Sequence, residues 1–168
     1  MYDELTQVDL DKMKAELERR VHELRPQLIE QVKIARGFGD LSENFEYKAA
    51  KQEKNRNESR IRYLERMIKT AKVIPAGAQS GSGIRLFDKV TVWIPEDGEE
   101  QVLQLVTTLR QDPLKGLVSK ESPIGKALLG RSVGETVRVQ VNDAVSYDMV
   151  IRAVEHGEDD DSIPISNF

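Results

Sequence analysis

The sequence of 168 residues contains no cysteine and only two histidines, His22 and His156. The lack of cysteine excludes disulfides, thiolate catalysis, cysteine-ligated zinc and iron–sulfur clusters, and two histidines are too few for a histidine-rich metal site. There is no run of about 18 apolar residues, so a transmembrane helix is not predicted. The chain also does not open with a charged and then apolar secretory leader. We therefore expect a cytoplasmic protein.

Aromatic residues are scarce, at 5% with a single tryptophan, whereas charged residues make up 32% of the chain. An average globular domain has roughly 25% charged residues. A surplus of charge with few aromatic residues indicates a large surface for the core that it encloses, which is typical of long helices.

The charge is distributed unevenly along the chain. Residues 1–74 hold 16 basic and 14 acidic residues, while residues 75–168 hold 9 and 15, and the whole chain has a net charge of −4. Between Glu43 and Lys72 there are nine basic and five acidic residues. A basic segment on an acidic protein favours a local contact with phosphates over general coating of nucleic acid.

Two interleaved sevenfold repeats predict a long first helix from about Asp9 to Arg36. The repeats consist of Leu10, Leu17 and Leu24, and of Val21, Leu28 and Ala35. This spacing is that of the a and d positions of a coiled coil. Pro26 lacks a backbone donor and crowds the preceding turn. Because the repeat continues through it, we expect a kink or local break at Pro26 within one continuing helix.

A second helix is predicted from about Ser42 to Lys72 by residues spaced alternately three and four positions apart. The repeat consists of Tyr47, Ala50, Lys54, Asn57, Ile61, Leu64, Ile68 and Ala71. Lys54 and Asn57 are the polar members of this repeat. Polar residues at such positions fix how two helices align along each other, at some cost in stability. The connection over residues 37–41 is so short that it makes the two helices antiparallel. Thirty residues in each arm give a hairpin roughly 45 Å long.

The second half of the chain has the pattern of a small sheet. Residues 75–83 are rich in proline, glycine and serine and predict a linker between a helical domain, residues 1–74, and a globular domain, residues 84–154. Alternating strands are predicted around Val90–Ile94, Val137–Val141 and Tyr147–Ile151, and the apolar run 102–106 predicts a more buried strand.

A short helix and an acidic tail complete the predicted elements. Ser122 as N-cap and Pro123 at the first helical position predict a helix that ends before Gly130. The tail, residues 155–168, contains four consecutive acids, Glu158–Asp161. Its composition predicts disorder.

The hairpin tip, residues 39–47, is the one dense polar cluster in a constrained position. The chain has no GxSxG, P-loop, GxGxxG or HExxH motif. Asp40 and Glu43 have the spacing of a helix capping box, and Ser42 is an alternative cap. The same two acids are also able to hold part of a Mg²⁺ coordination shell whose other oxygens come from a partner. The residues by themselves leave both interpretations open.

Two separate motifs occur with an order and spacing that one known family shares. The first comprises Arg25-Pro26, Ala35-Arg36, Gly39-Asp40-Leu41-Ser42-Glu43-Asn44, Glu46-Tyr47 and Ala49-Ala50. The second is Ser122-Pro123-Ile124-Gly125-Lys126-Ala127-Leu128-Leu129-Gly130. From about Leu10 to Val154 the chain resembles the Gre transcript-cleavage factors of bacteria, the GreA/GreB family, with a tip more similar to the GreA type.

The resemblance implies an α+β fold and a function in transcription. It implies an N-terminal antiparallel coiled-coil hairpin and a C-terminal FKBP-like domain with a β-sheet and a short helix. The globular domain would bind bacterial RNA polymerase, and the coiled coil would enter the secondary channel. The polymerase would then cleave the 3′ end of its own nascent RNA in backtracked complexes. The chain would be a monomer with no enzymatic activity and no cofactor of its own.

The resemblance also implies roles for residues at the tip. Asp40 and Glu43 would complete the polymerase active site and help to hold a Mg²⁺ ion that is shared with the polymerase. Ser42, Asn44 and Tyr47 would support the geometry of the tip. A capped helix end is a more rigid platform, so capping and catalysis are compatible there.

The resemblance implies roles for two further groups of residues, and in the first of them Lys51 matches a basic family position. Lys48 and Lys51 would neutralise phosphates of the nascent RNA, although a solvated helix face explains lysines equally well without the family. Glu121, Ser122 and Pro123 match a turn that docks on the polymerase, although helix capping alone explains a serine and a proline there.

Three other functions are compatible with parts of the sequence. A Gre-like channel binder that inhibits the polymerase would be expected to depart from the tip motif. A prolyl isomerase needs an aromatic-lined pocket, and the predicted globular domain, residues 84–154, offers only Phe87, Trp93 and Tyr147. A structural coiled-coil module explains the sevenfold repeats but neither motif. A transcript-cleavage factor is therefore the favoured prediction.

Overall fold

The chain has a helical part and a sheet-containing part, which confirms the predicted α+β class. The computed structural model describes residues 4–39, 43–74, 83–159 and 162–166. One compact unit contains residues 10–71, and the other contains residues 72–168 together with residues 3–9. Most of the predicted linker, residues 75–82, lies outside the described residues. Within the described part of the chain, no helix has the length and apolar character needed to span a membrane.

The first arm of the hairpin is helical throughout but widens before its proline. It consists of α1 (Gln7–Arg19), a π-helical turn (Arg20–Leu24) and α2 (Arg25–Arg36). In the π turn the Arg25 N–H donates to the Arg20 carbonyl, five residues back. Since Pro26 has no N–H and crowds the preceding turn, the wider turn accommodates it without ending the helix. The predicted local break is confirmed.

The second arm is a single helix, α3 (Phe45–Thr70), and it runs antiparallel to the first. Glu16 near the start of the first arm bonds to Arg60 late in the second, whereas Ala35 at the end of the first contacts Asn44. Every residue of the two predicted repeats is buried or half-buried. The predicted heptad seam is therefore confirmed.

A polar layer interrupts the apolar seam. Asn57 accepts a hydrogen bond from Arg20 Nη1 at 3.0 Å and donates one to the Arg20 carbonyl at 3.3 Å. Glu16 accepts from Arg60 Nε at 2.8 Å and from Arg20 Nε at 2.7 Å. Burial raises the pKa of Glu16, but the hydrogen bonds from Arg60 and then Arg20 outweigh it, so the pKa is lowered. These directional contacts support the predicted role of Asn57 in fixing the register.

The second unit is built on a five-stranded sheet. Its strands are β3 (Lys89–Ile94), β4 (Glu99–Val106), β5 (Leu117–Ser119), β6 (Thr136–Gln140) and β7 (Ser146–Glu155). Their order across the sheet is β5-β4-β3-β7-β6. Neighbouring strands are antiparallel except β4 and β5. Two short strands, β1 (Glu4–Leu5) and β2 (Lys72–Val73), pair in parallel as a separate ribbon.

One face of the five-stranded sheet carries the core together with the short helix α4 (Pro123–Leu128). The core cluster includes Val90, Val92, Leu103, Leu105, Leu128, Val137, Val139, Met149 and Ile151. The predicted alternation is confirmed in β3 and β6. In β4 the prediction of a more buried strand holds for Leu103, Leu105 and Val106 but is wrong at Val102, which is 60% exposed. Val102 belongs to the first half of the strand, residues 99–102, which is exposed throughout.

Disorder was predicted for the tail, residues 155–168, but the described part of it, residues 155–159 and 162–166, makes specific contacts; the other four residues lie outside the described part of the chain. Glu155 still belongs to β7. Beyond it, His156 Nδ1 lies 2.9 Å from the Asp88 carboxylate, and Asp159 pairs with the buried Arg110. Further along, the side chain of Ile163 packs in an apolar cluster with Phe87. Acidic composition alone did not indicate that Asp159 pairs with a cation buried in the domain.

Candidate functional site

The hairpin tip is shaped by two glycines. The Gly37 N–H donates to the Ile34 carbonyl at 3.0 Å as α2 ends, and Gly39 has φ +128°, a conformation that glycine adopts without a steric penalty. The predicted catalytic Asp40 and the predicted supporting Ser42 lie outside the described residues.

Asn44 holds the tip together by bonding to both arms. Its Oδ1 accepts a hydrogen bond from the Tyr47 N–H at 3.0 Å, which makes Asn44 the N-cap of α3. Its Nδ2 donates to the carbonyl of Ala35 at 2.6 Å, near the end of α2. The prediction of Asp40 or Ser42 as cap of this helix is wrong, because the helix begins later than its sequence pattern indicates.

Glu43 lies directly before this N-cap, and its side chain is exposed. The first turn of α3 carries a second exposed acid, Glu46. Acidic side chains are favoured near a helix N-terminus. Among the described residues, no group of three or more acidic, histidine or cysteine side chains is arranged to hold a metal ion. A Mg²⁺ ion bound through Glu43 would therefore need further oxygen ligands, because its shell holds six.

Basic side chains lie over aromatic rings on the first turns of α3. Lys48 Nζ is 5.7 Å from the centre of the Phe45 ring, and Lys51 Nζ is 6.0 Å from that of Tyr47. Arg36, from the other arm, approaches the Tyr47 ring to 5.6 Å. Lys48 and Lys51 are exposed, whereas Tyr47 is half-buried. The tip thus combines acids at its end with a cationic and aromatic surface just behind it.

The second motif forms the start of α4 as predicted. The Ser122 hydroxyl accepts from the Gly125 N–H at 3.0 Å and donates to the Ser119 carbonyl at 2.6 Å. Gly125 allows a close approach, since a Cβ there would lie 2.1 Å from the Ser119 carbonyl oxygen. Glu121 and Pro123 are exposed, and Ser122 is half-buried. The turn therefore presents one charged and one apolar side chain on a well-braced backbone.

Two family models match consecutive parts of the chain. The first is described as "Transcription elongation factor, N-terminal" and covers residues 4–73. The second, "Transcription elongation factor, GreA/GreB, C-term", covers residues 79–156. The helical hairpin and the sheet domain thus match the two parts of one class of proteins, the transcription elongation factors.

Individual relatives agree with these models. The chain is 44% identical to "Transcription elongation factor GreA" of Geobacillus kaustophilus over 81% of this chain and 86% of that protein. It is 39% identical to the protein of the same name from Mesoplasma florum, over 89% and 96% of the two chains. The chain belongs to the GreA/GreB family. Among solved structures, it matches GreA factor homolog 1 (Gfh1) of Thermus thermophilus with 28% identity and a TM-score of 0.44, over 93% of this chain and 100% of that one.

Sequence reasoning assigned Asn44 only a general supporting role and gave Phe45 none. Asparagine is among the strongest N-cap residues, so the sequence did contain a signal for the cap at Asn44. The bond from Asn44 to Ala35 has no local signal, because it depends on how the two arms meet. Phe45 is an apolar residue off the predicted seam, and its 80% exposure appears only in the structure.

Proposed function

We propose that this protein binds bacterial RNA polymerase in the cytoplasm and stimulates the polymerase to cleave the 3′ end of its nascent RNA in backtracked complexes. The observation that carries the proposal is the exposed Glu43 carboxylate directly before a helix start that Asn44 clamps to both arms. Family membership supports the same function. The chain itself would have no nuclease activity, since the polymerase would supply the rest of the catalytic site.

In this proposal, the residues of the tip hold and orient groups at a centre that belongs to the polymerase. Glu43, together with Asp40, would provide carboxylate oxygens to a Mg²⁺ ion shared with the polymerase and would accept a hydrogen bond from the attacking water. When bound, this ion would lower the pKa of that water and neutralise charge on the phosphate. Lys48 and Lys51 would pair with phosphates of the extruded RNA.

The second unit would anchor the protein on the polymerase. Glu121 and Pro123 are the exposed residues of the braced turn before α4, and Ser122 would keep this turn in shape. We expect Glu121→Gln combined with Pro123→Ala to weaken polymerase binding, measured by titration of labelled protein. Unchanged binding would exclude this turn as the docking site.

The function is tested with halted, backtracked polymerase complexes that carry end-labelled RNA. The full-length protein should accelerate shortening of the RNA 3′ end, and the protein without polymerase should leave the RNA intact. Asp40→Asn with Glu43→Gln should abolish the acceleration while polymerase binding is retained. Glu46→Gln, which neutralises the exposed acid in the first turn of α3, is the matched control. Acceleration by the double variant would contradict the proposal, and slower cleavage with the native protein would favour an inhibitory channel binder.

A further inference from the structure

Two phenylalanines at the tip are exposed to an unusual degree for apolar side chains. The Phe45 side chain, at the first position of α3, is 80% exposed, and that of Phe38, at the end of the other arm, is 64% exposed. Rings that are this exposed contribute little to the stability of the hairpin, because the stabilisation from an apolar side chain scales with the area that it buries. Helix propensity does not explain the presence of a phenylalanine at position 45 either, because alanine has the higher helix propensity.

Phe45 differs from Phe38 in its surroundings. A lysine ammonium, that of Lys48, lies over the ring of Phe45 at 5.7 Å. Proteins that bind single-stranded nucleic acid combine aromatic rings, on which bases stack, with cations that follow the phosphates. Phe45 and Lys48 supply both parts three residues apart on one helix. A purely apolar partner would leave the Lys48 charge without a counterpart.

Phe45 is also close to the acid that defines the proposed site. Only one residue separates it from Glu43, so their Cα atoms are at most about 7.6 Å apart. A base stacked on Phe45 would therefore hold a neighbouring phosphodiester near the Glu43 carboxylate. Such positioning of a substrate is a recognised source of rate enhancement.

We propose that Phe45 is a stacking platform for an unpaired base of the nascent RNA 3′ segment, with Lys48 pairing with the adjacent phosphate. This inference rests on the proposed function and assigns a binding role to a residue outside the acidic pair. It makes Phe45 a positioning residue, which fixes where the RNA lies relative to Glu43.

The first test compares RNAs that carry either a normal nucleotide or an abasic one at the backtracked 3′ end. Phe45→Ala should reduce the stimulation of cleavage about tenfold on normal RNA, in line with the contribution of one stacked base. On abasic RNA, the stimulation of cleavage by the native protein should fall to the level of Phe45→Ala on normal RNA. The stimulation by Phe45→Ala should be the same on abasic RNA as on normal RNA. Phe45→Trp should keep full stimulation on normal RNA. Phe38→Ala removes a similar exposed ring and should behave like the native protein.

Two results of this test would overturn the inference while leaving the proposed function intact. One is full stimulation of cleavage by Phe45→Ala on normal RNA. The other is an equal loss by this variant on both RNAs, which would indicate a contact with the polymerase instead of a base. Circular dichroism should confirm that Phe45→Ala retains the helical content of the native protein.

A second measurement detects stacking without cleavage. The RNA 3′ terminus carries 2-aminopurine, whose fluorescence falls when it stacks, and Asp40→Asn with Glu43→Gln keeps the RNA intact. This double variant should quench the fluorescence when it is added to the backtracked complex. A triple variant that also carries Phe45→Ala should not quench it. Equal quenching with and without Phe45 would overturn the inference, even if the native protein proves not to stimulate cleavage.

Discussion

The side chain of Asn44 donates a hydrogen bond to the main-chain carbonyl of Ala35 at 2.6 Å, across the tip of the hairpin. The same side chain caps α3 through the N–H of Tyr47. One residue thus determines both where the second arm begins and how its start lies against the end of the first. Glu43, the residue directly before it, takes its position from this clamp.

We predict that Asn44→Ala destabilises the hairpin by about 1–2 kcal/mol, because the helix loses its cap and the Ala35 carbonyl loses its donor. Thermal unfolding followed by circular dichroism measures this change. Asn44→Asp is the matched variant, since a carboxylate still caps the helix but donates nothing to Ala35. An intermediate stability is expected for it. If both variants melt at the native temperature, the clamp does not stabilise the tip.

We predict that Glu16→Gln lowers stability by about 2 kcal/mol at neutral pH, because Glu16 is the shared acceptor for Arg20 and Arg60 in the seam. Glu53→Gln is the control, since it alters an exposed ion pair with Arg56, and such pairs contribute little. Denaturant unfolding of the three proteins measures the differences.

The contribution of Glu16 should also depend on pH. Its pKa is lowered from the ordinary value of 4.5 in the folded protein, so the unfolded chain takes up the proton first as the pH falls. The stabilisation is complete above pH 4.5 and is lost as the pH falls through the lowered pKa. The difference between the native protein and Glu16→Gln should therefore narrow below about pH 4.5. A difference that is constant from pH 7 to pH 3 would contradict this account.

We predict that Asp159→Ala destabilises the second unit by about 1–3 kcal/mol, because Asp159 pairs with the buried Arg110. Arg110 also pairs with Asp9, at 2.7 Å, so the variant should weaken the domain without unfolding it. The neighbouring Glu158 is exposed, and Glu158→Ala is the control. Equal melting temperatures for the two variants would show that the tail contact contributes nothing.

We predict that Gly125→Ala destabilises the second unit by about 1–3 kcal/mol through overpacking. A Cβ at this position would meet the Ser119 carbonyl oxygen at 2.1 Å, so α4 has to shift away from the turn that carries Glu121. Polymerase binding should weaken in parallel, as measured by titration. Lys126→Ala alters the next, exposed residue and should change neither quantity.

The prolyl isomerase alternative finds no support in the positions of the aromatic residues. Phe87 and Tyr147 pack in two separate apolar clusters. Trp93 lies under the guanidinium of Arg152, at 4.4 Å from the ring centre. The aromatic lining that such an enzyme needs is therefore divided among different parts of the domain.

The sequence predicted those features of the fold that are determined by residues close together along the chain. The seam of the hairpin was predictable because helical periodicity alone decides which side chains share a face. The cap of α4 was predictable because Ser122 and Pro123 act on their own turn. The exposure of Val102 was not, because a short apolar run does not tell which face of a strand is covered.

By itself, the sequence determined the helical arms, the alternating strands and the acidic motif at the tip, because periodicity and capping act over a few residues. Only the tertiary structure decided that Asn44 bonds to Ala35 and that Arg110 pairs with both Asp9 and Asp159. These contacts join residues from different elements, and their partners are chosen by how the elements pack. A sequence pattern records the spacing within one element, whereas a buried charge or an interarm hydrogen bond depends on the distance between two.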